Sequence, residues 1–137
     1  MADLADGLYR ISFTPEQFLT GPDSRAGGLL MLLPDSGGPG QDWKVQSTGN
    51  GAHTISTPRD LHVSYDGDPD MHELSILLPE ARDWHLTPGD RPDSFIIGVP
   101  NTPMRLGMSL LRVFPPRIAL APEYGPAYQA WTFQKVG

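Results

Sequence analysis

The sequence contains no cysteine among its 137 residues. This absence excludes a disulfide framework, a thiolate metal site and a cysteine nucleophile. The chain also lacks any apolar run near the roughly eighteen residues that a membrane-spanning helix needs, and no charged segment followed by an apolar run opens it. These absences predict a cytoplasmic protein, or one that is exported without a classical signal peptide.

Basic residues are scarce relative to acidic ones. Ten lysines and arginines stand against 16 aspartates and glutamates, which gives a formal net charge of -6. Such a charge repels phosphate backbones and anionic lipid surfaces, so neither nucleic acid nor a membrane is expected as a partner. The 15 glycines and 15 prolines are spread along the chain, as in a protein of many short strands. The length predicts a single domain over residues 1–137.

Three tryptophans mark an internal repeat. Trp43, Trp84 and Trp131 are 41 and 47 residues apart, and each is followed two positions later by an apolar residue, as in a strand. Two further markers recur in the same order at spacings of 42 to 45 residues. The first is a residue with a ring side chain followed two positions later by isoleucine, at 9–11, 53–55 and 95–97. The second is a short apolar run followed by proline and an acidic residue, at 32–35, 77–80 and 120–123.

Alternation and turn residues place four strands in each repeat. The predicted strands are 7–13, 17–21, 28–33 and 42–47, then 51–57, 60–66, 73–78 and 83–87, then 94–99, 104–110, 117–121 and 129–136. Three pseudo-repeats over about 1–48, 49–90 and 91–137 therefore predict an all-β fold of twelve short strands. A six-stranded barrel capped by three hairpins, the β-trefoil, would hide most of the strand edges.

A mixed α+β domain is the alternative. Thr14-Pro15-Glu16-Gln17 could cap a helix, and Met104, Met108 and Leu111 fall at helical spacing. Gly107 and the flanking prolines weaken the second helix, so we expect at most one short helical turn, near Thr14.

No catalytic motif is present. The sequence has no Gly-x-Ser-x-Gly, no His-Glu-x-x-His and no phosphate loop ending in Gly-Lys-Ser/Thr. We therefore predict no enzymatic activity and no cofactor. The acidic stretch 66–73 resembles the start of a calcium loop but lacks its turn glycine and its distant glutamate, so no metal is expected either.

Two groups of β-trefoil proteins resemble this chain. The opening Leu4-x-x-Gly7-x-Tyr9-x-Ile11, the tryptophan strand that closes each third and the terminal stretch 129–136 carry the resemblance. Over nearly the whole chain it looks like the trefoil serine protease inhibitors of mushrooms, which are small fungal proteins without cysteine. It is more distantly similar to the ricin-B-like lectins, whose Gln-x-Trp is intact only at 129–131.

The resemblance to the inhibitors implies a substrate-like loop between the second and third strands. Here that loop contains Asp23, Ser24, Arg25 and Ala26, and Arg25 would enter the acidic specificity pocket of a trypsin-like protease. Pro22 would stiffen the entry of the loop, while the two glycines at 27 and 28 would loosen its exit. Arg59 lies in an alternative loop. The glycine-rich segment 36–40 would suit a cysteine protease cleft, which gives a further inhibitor hypothesis.

A lectin needs a carboxylate for sugar hydroxyls and an aromatic face for stacking. Tyr65 with Asp66 and Asp68, or a pair of tyrosines at 124 and 128, could provide these groups. The constellation does not recur with the repeat. Protease inhibition, with a protease as protein partner, is therefore the leading hypothesis from sequence. Glycan binding is the alternative, and a non-catalytic accessory role is a further one.

Overall fold

Twelve β strands account for most of the chain in the computed structural model, which describes residues 4–22, 25–35, 40–49, 51–69, 73–89, 91–109, 113–122 and 130–136. The strands are β1 (Gly7–Thr14), β2 (Gln17–Thr20), β3 (Met31–Leu33), β4 (Trp43–Ser47), β5 (His53–Ser56), β6 (His62–Tyr65), β7 (Ser75–Leu78), β8 (His85–Pro88), β9 (Ser94–Gly98), β10 (Met104–Met108), β11 (Ile118–Pro122) and β12 (Ala130–Lys135). Each overlaps one predicted strand, so the all-β prediction is confirmed. The described residues contain no helix, and hence none long and apolar enough to cross a membrane.

Six of the strands close into a barrel. β1 pairs with β12 and β4, β4 with β5, β8 with β9, and β9 with β12, all antiparallel. The remaining gap, between β5 and β8, is bridged by His53 and Trp84, whose backbones exchange two hydrogen bonds of 2.8 Å each. The closed ring leaves the barrel strands without a free edge.

The other six strands form three hairpins, β2–β3, β6–β7 and β10–β11. Isolated backbone bridges join these hairpins in every pairwise combination, through Leu29 and Ile76, Met31 and Arg117, and Leu74 and Ala119. The hairpins therefore cap the barrel as one triangular layer.

The three tryptophans occupy equivalent places in the core. Each is fully buried, and each donates its indole N–H to a carbonyl in the second strand of its own repeat. The acceptors are Leu19 for Trp43 at 2.9 Å, Val63 for Trp84 at 2.9 Å and Leu106 for Trp131 at 3.0 Å. Because a buried indole N–H needs an acceptor, the repeated tryptophan fixes the same strand contact three times.

The helical alternative is wrong at both places. Thr14 ends β1 and Gln17 begins β2, and the Thr14 hydroxyl accepts a hydrogen bond from the Glu16 N–H at 3.4 Å. The hydroxyl thus closes a strand-to-strand turn, a local bond that serves turns as well as helix starts. Met104 and Met108 are the ends of β10, whose whole length pairs with β11, and Leu111 lies outside the described residues.

Candidate functional site

The register of the barrel strands gathers polar side chains on its outer face. In β1, Arg10 lies opposite Gln134 of β12, and Ser12 lies opposite Phe18 of β2. Residues directly opposite each other share a face, as do residues two apart on one strand. Tyr9 and Ile11 alternate with these positions and lie in the core. Arg10, Phe18 and Gln134 therefore line the outer side of one strand junction, which we call the β1–β12 seam.

The same junction occurs twice more in the barrel. Ser56 lies opposite His62, and Gly98 lies opposite Arg105, as Ser12 lies opposite Phe18. The same pairing identifies the residues of the other two seams that are equivalent to Arg10, Phe18 and Gln134. In the second seam they are Thr54, His62 and Gln46. In the third seam they are Ile96, Arg105 and Thr87. The three seams share a backbone and differ in chemistry.

The β1–β12 seam holds a fixed array of charges. Arg10 donates from Nη1 to Asp35 Oδ1 at 2.7 Å and from Nε to Asp42 Oδ1 at 3.3 Å. The Arg10 side chain is 21% exposed and that of Asp35 is 55% exposed, so the guanidinium is mostly shielded while the Asp35 carboxylate is in contact with solvent. A cleft of about 250 Å³ lies here, bordered also by Phe18, Gln134 and Lys135.

In the second seam, two charged side chains pair with each other. Lys44 Nζ lies 2.7 Å from Asp60 Oδ1, and this hydrogen bond lowers the pKa of the Asp60 carboxyl. Burial lowers the pKa of His62, against the opposing pull of Asp60. The buried Nδ1 of His62 has no hydrogen-bond partner within the described ranges. Lys44 and Asp60 thus form an ion pair, and the burial of His62 favours the neutral form of its imidazole.

The third seam forms a cleft of about 370 Å³ without a carboxylate among its lining residues. His85, Thr87 and Thr102 border it, together with Asn101, which has a positive φ of 63° in the β9–β10 turn. Of the three seams, only the β1–β12 seam combines a carboxylate, a guanidinium, an amide and a phenyl ring in the part of the chain that the structure describes.

Three solved structures share the strand arrangement of this chain over all or nearly all of their length. A ricin B-like lectin from Macrolepiota procera, solved in complex with lactose, has 18% identity and a TM-score of 0.83, with 98% of this chain and 100% of that chain covered. An agglutinin from Rhizoctonia solani has 16% identity and a TM-score of 0.85, with 99% of each chain covered. The designed threefold-symmetric protein ThreeFoil has 13% identity and a TM-score of 0.83, with 96% and 100% covered. The fold is a β-trefoil.

No protein-family model matches the sequence, and no curated protein matches it. At these identities the likeness to solved structures shows the trefoil fold alone. Any binding activity must therefore be argued from the side chains of this trefoil.

The predicted protease-binding loop of the trefoil is described from Arg25 onward, since Asp23 and Ser24 lie outside the described residues. Arg25 and Ala26 are exposed and border a cleft of about 530 Å³. The Arg25 carbonyl accepts a hydrogen bond from Gly28 N–H at 3.1 Å, so residues 25–28 form a tight turn. The exit of the loop is held firmly, because Leu77 exchanges two hydrogen bonds with Gly27 and Gly28. The two glycines therefore do not loosen the exit as the sequence predicts, because the β7 backbone holds both of them.

The predicted sugar-stacking tyrosine does not offer a free ring face. Tyr65 is 3% exposed, the Arg82 guanidinium lies 4.0 Å from its ring centroid, and the Trp84 ring meets it edge-on. Asp66 and Asp68 are exposed in the turn after β6. The trefoil therefore leaves two solvated carboxylates there without an accessible ring from Tyr65. The alternative tyrosines, Tyr124 and Tyr128, lie outside the described residues.

The remaining candidate residues lie either in an exposed turn or outside the described residues. Arg59 is exposed in the β5–β6 turn, where its N–H bonds the Thr57 hydroxyl at 3.2 Å. Residues 36–39 of the glycine-rich segment lie outside the described ranges, as do Asp70 and His72 of the acidic stretch. Within the described ranges no group of three or more histidine, aspartate or glutamate side chains is arranged to hold a metal ion.

The β1–β12 seam was missed by sequence reasoning, although part of its signal was available. Arg10 and Gln134 each alternate with core residues, and closure of the barrel pairs the first strand with the last. Their shared outer face could therefore have been predicted. Asp35 follows β3 in a loop, and nothing in the local sequence indicates that it reaches back to Arg10.

Proposed function

We propose that this β-trefoil binds carbohydrate at the β1–β12 seam. The observation that carries the proposal is the ion array of Arg10 between Asp35 and Asp42, beside the half-buried Phe18 ring. A carboxylate accepts hydrogen bonds from sugar hydroxyls, a guanidinium donates to them, and an aromatic ring packs against the apolar face of a sugar ring.

The array is organised before any ligand arrives. Both carboxylates contact Arg10, so its guanidinium loses little side-chain entropy when a sugar docks. The cleft of about 250 Å³ is smaller than the roughly 300–1,000 Å³ of typical drug-sized ligand sites. It suits one or two sugar residues, with any longer glycan continuing into solvent.

The relatives in fold support a lectin function in general terms. One of them is described as a ricin B-like lectin in complex with lactose and another as an agglutinin. Because the likeness is at the level of the fold, it assigns neither the seam nor the sugar to this chain.

The test is titration calorimetry of the purified protein against a panel of neutral mono- and disaccharides that includes lactose. For a sugar that binds, Asp35→Asn should weaken affinity by about tenfold or more, because a hydrogen bond to a charged group contributes about 1.5–3 kcal/mol. Asp66→Asn is the matched control, since it neutralises an exposed carboxylate elsewhere and should change nothing. Loss of binding in the Asp66 variant alone would move the site to the Asp66–Asp68 turn. No binding to any member of the panel would contradict the proposed function.

Inhibition of a trypsin-like protease is the second candidate function. The exposed Arg25 favours it, together with the two hydrogen bonds that fix the end of its loop to Leu77, because a held loop loses little entropy on docking. It ranks second because residues 25–28 form a turn and do not extend like a substrate strand.

A further inference from the structure

The third seam has a glycine at its centre where the other two seams have a serine. Gly98 of β9 occupies the position that Ser12 and Ser56 occupy in the first and second seams. A side chain would fit there, because a Cβ atom on Gly98 would lie 3.7 Å from the Met104 carbonyl oxygen and 3.8 Å from that of His85, which is ordinary van der Waals contact. Its φ also lies outside the left-handed region that favours glycine. Neither packing nor backbone conformation therefore requires a glycine here, and its effect is to leave space on the outer face of the barrel.

Arg105 and His85 lie on the two sides of this space. Arg105 in β10 and His85 in β8 are both directly opposite Gly98, so all three share the outer face. The core residues Ile97 and Leu106 alternate with them. Neighbouring strands are about 4.8 Å apart, which sets the backbones of β8 and β10 roughly 10 Å apart across the glycine. An oxyanion between the two side chains could accept hydrogen bonds of about 2.7–2.9 Å from a donor on each side.

The cleft of about 370 Å³ at this seam favours negative charge. Its described lining includes the half-buried Arg105 and the exposed His85 but no acidic residue. Asp83, which is the nearest acidic residue in sequence, precedes His85 by two positions and does not border the cleft. At physiological salt the screening length is about 8 Å, so a ligand in the cleft experiences the Arg105 guanidinium more than distant carboxylates. The net charge of -6 of the whole chain therefore does not decide what this cleft binds.

We propose that the third seam binds an oxyanion group, a carboxylate or a sulfate, between Arg105 and His85 and above Gly98. A guanidinium binds such a group with two parallel hydrogen bonds, and an imidazole N–H adds a donor from the opposite side. The volume of the cleft leaves room for a small molecule that carries the group, and Pro103 and Met104 give it apolar surface. The cleft shares no described lining residue with the β1–β12 seam, so the proposal does not depend on carbohydrate binding there.

Titration calorimetry of the full chain with glucuronate, glucose 6-sulfate and neutral glucose tests the proposal. At least one of the anionic sugars should bind about tenfold or more tightly than glucose, and Arg105→Gln should remove this preference, because hydrogen bonds to charged groups change affinity by that factor or more. Arg59→Gln is the matched control, since it removes an exposed cation from the β5–β6 turn and should keep the preference.

A second variant, Gly98→Val, fills the space between the two side chains and leaves Arg105 in place. It should weaken binding of the anionic sugars by at least about tenfold. Because a Cβ atom fits at this position and valine favours strands, the variant should unfold in urea at or above the wild-type midpoint. It therefore separates loss of the site from loss of the fold, which Arg105→Gln alone would not do.

Four results would overturn the proposal. These are no binding of either anionic sugar, equal binding of glucose, wild-type affinity in folded Gly98→Val protein, or an equal loss of binding in Arg59→Gln, which would show a response to overall charge alone. Sodium sulfate, titrated against sodium chloride of equal ionic strength, identifies the source of the oxyanion. Affinity equal to that of glucose 6-sulfate supports a site for the free ion, and weaker affinity supports a site for a group attached to a larger molecule.

Discussion

Replacing each core tryptophan by phenylalanine tests whether the three repeats are equivalent in energy as well as in geometry. Trp43, Trp84 and Trp131 are each fully buried and donate to a carbonyl at 2.9 to 3.0 Å. The substitution removes the donor and shrinks the ring while keeping an aromatic group in the core. It therefore probes the same contact in three different sequence contexts.

Two effects set the expected magnitude. Loss of the hydrogen bond with the acceptor left buried costs about 1–3 kcal/mol, and the space vacated by the smaller ring costs roughly a further 1–2 kcal/mol. Each variant should thus lose about 2–5 kcal/mol of unfolding free energy. That is a large part of the roughly 5–15 kcal/mol that a domain of ordinary stability has.

Urea unfolding followed by far-ultraviolet circular dichroism is the assay. We expect the midpoint to fall in all three variants with little change in the denaturant slope, and the three losses to agree within about 1 kcal/mol. A variant that loses less than about 1 kcal/mol would show that its indole is not held by a buried hydrogen bond. The equivalence of the three repeats would then be refuted.

Two further predictions concern Arg25 and His62. If the protein inhibits trypsin-like proteases through Arg25, the wild type should inhibit trypsin stoichiometrically, Arg25→Ala should lose the inhibition and Arg59→Ala should keep it. If trypsin stays active with the wild type and with both variants, that function is rejected. Burial lowers the pKa of His62 in the folded protein, so the unfolded chain takes up the proton first. Stability should be retained above the unfolded pKa of about 6.5 and be lost as the pH falls towards the lower folded value. His62→Gln should reduce this loss in urea midpoints at about pH 7 and pH 5, and an unchanged loss would contradict the assignment.

The fold was predictable because its main signals are local. A tryptophan two residues before an apolar residue marks a strand wherever it occurs, and proline and glycine mark the turns between strands. The start of the third strand could not be predicted from such local signals. We predicted it to begin at residue 28, but it begins at Met31, because Gly27 and Gly28 bond to Leu77 of a different hairpin. That partner lies about fifty positions away in sequence, beyond any local pattern.

The candidate site at the β1–β12 seam was less predictable than the fold, for a related reason. Sequence reasoning sought an acid and a ring close together in the chain and found Tyr65 beside Asp66. Alternation with Val63, which is fully buried, already placed Tyr65 on the core side of β6. The array that the structure does show joins Arg10 to Asp35 and Asp42, which are 25 and 32 residues away. Only tertiary folding brings these charges together.

The three seams repeat one backbone with three sets of side chains, and this difference bears on valency. A ligand that fits Arg10 and Phe18 at the β1–β12 seam meets His62 with Thr54, or Arg105 with Ile96, at the other two. Under the proposed function, one seam of each kind gives each chain a single site for any one glycan. A single chain with one such site would gain no avidity from clustered glycans and would not crosslink two glycan-bearing surfaces.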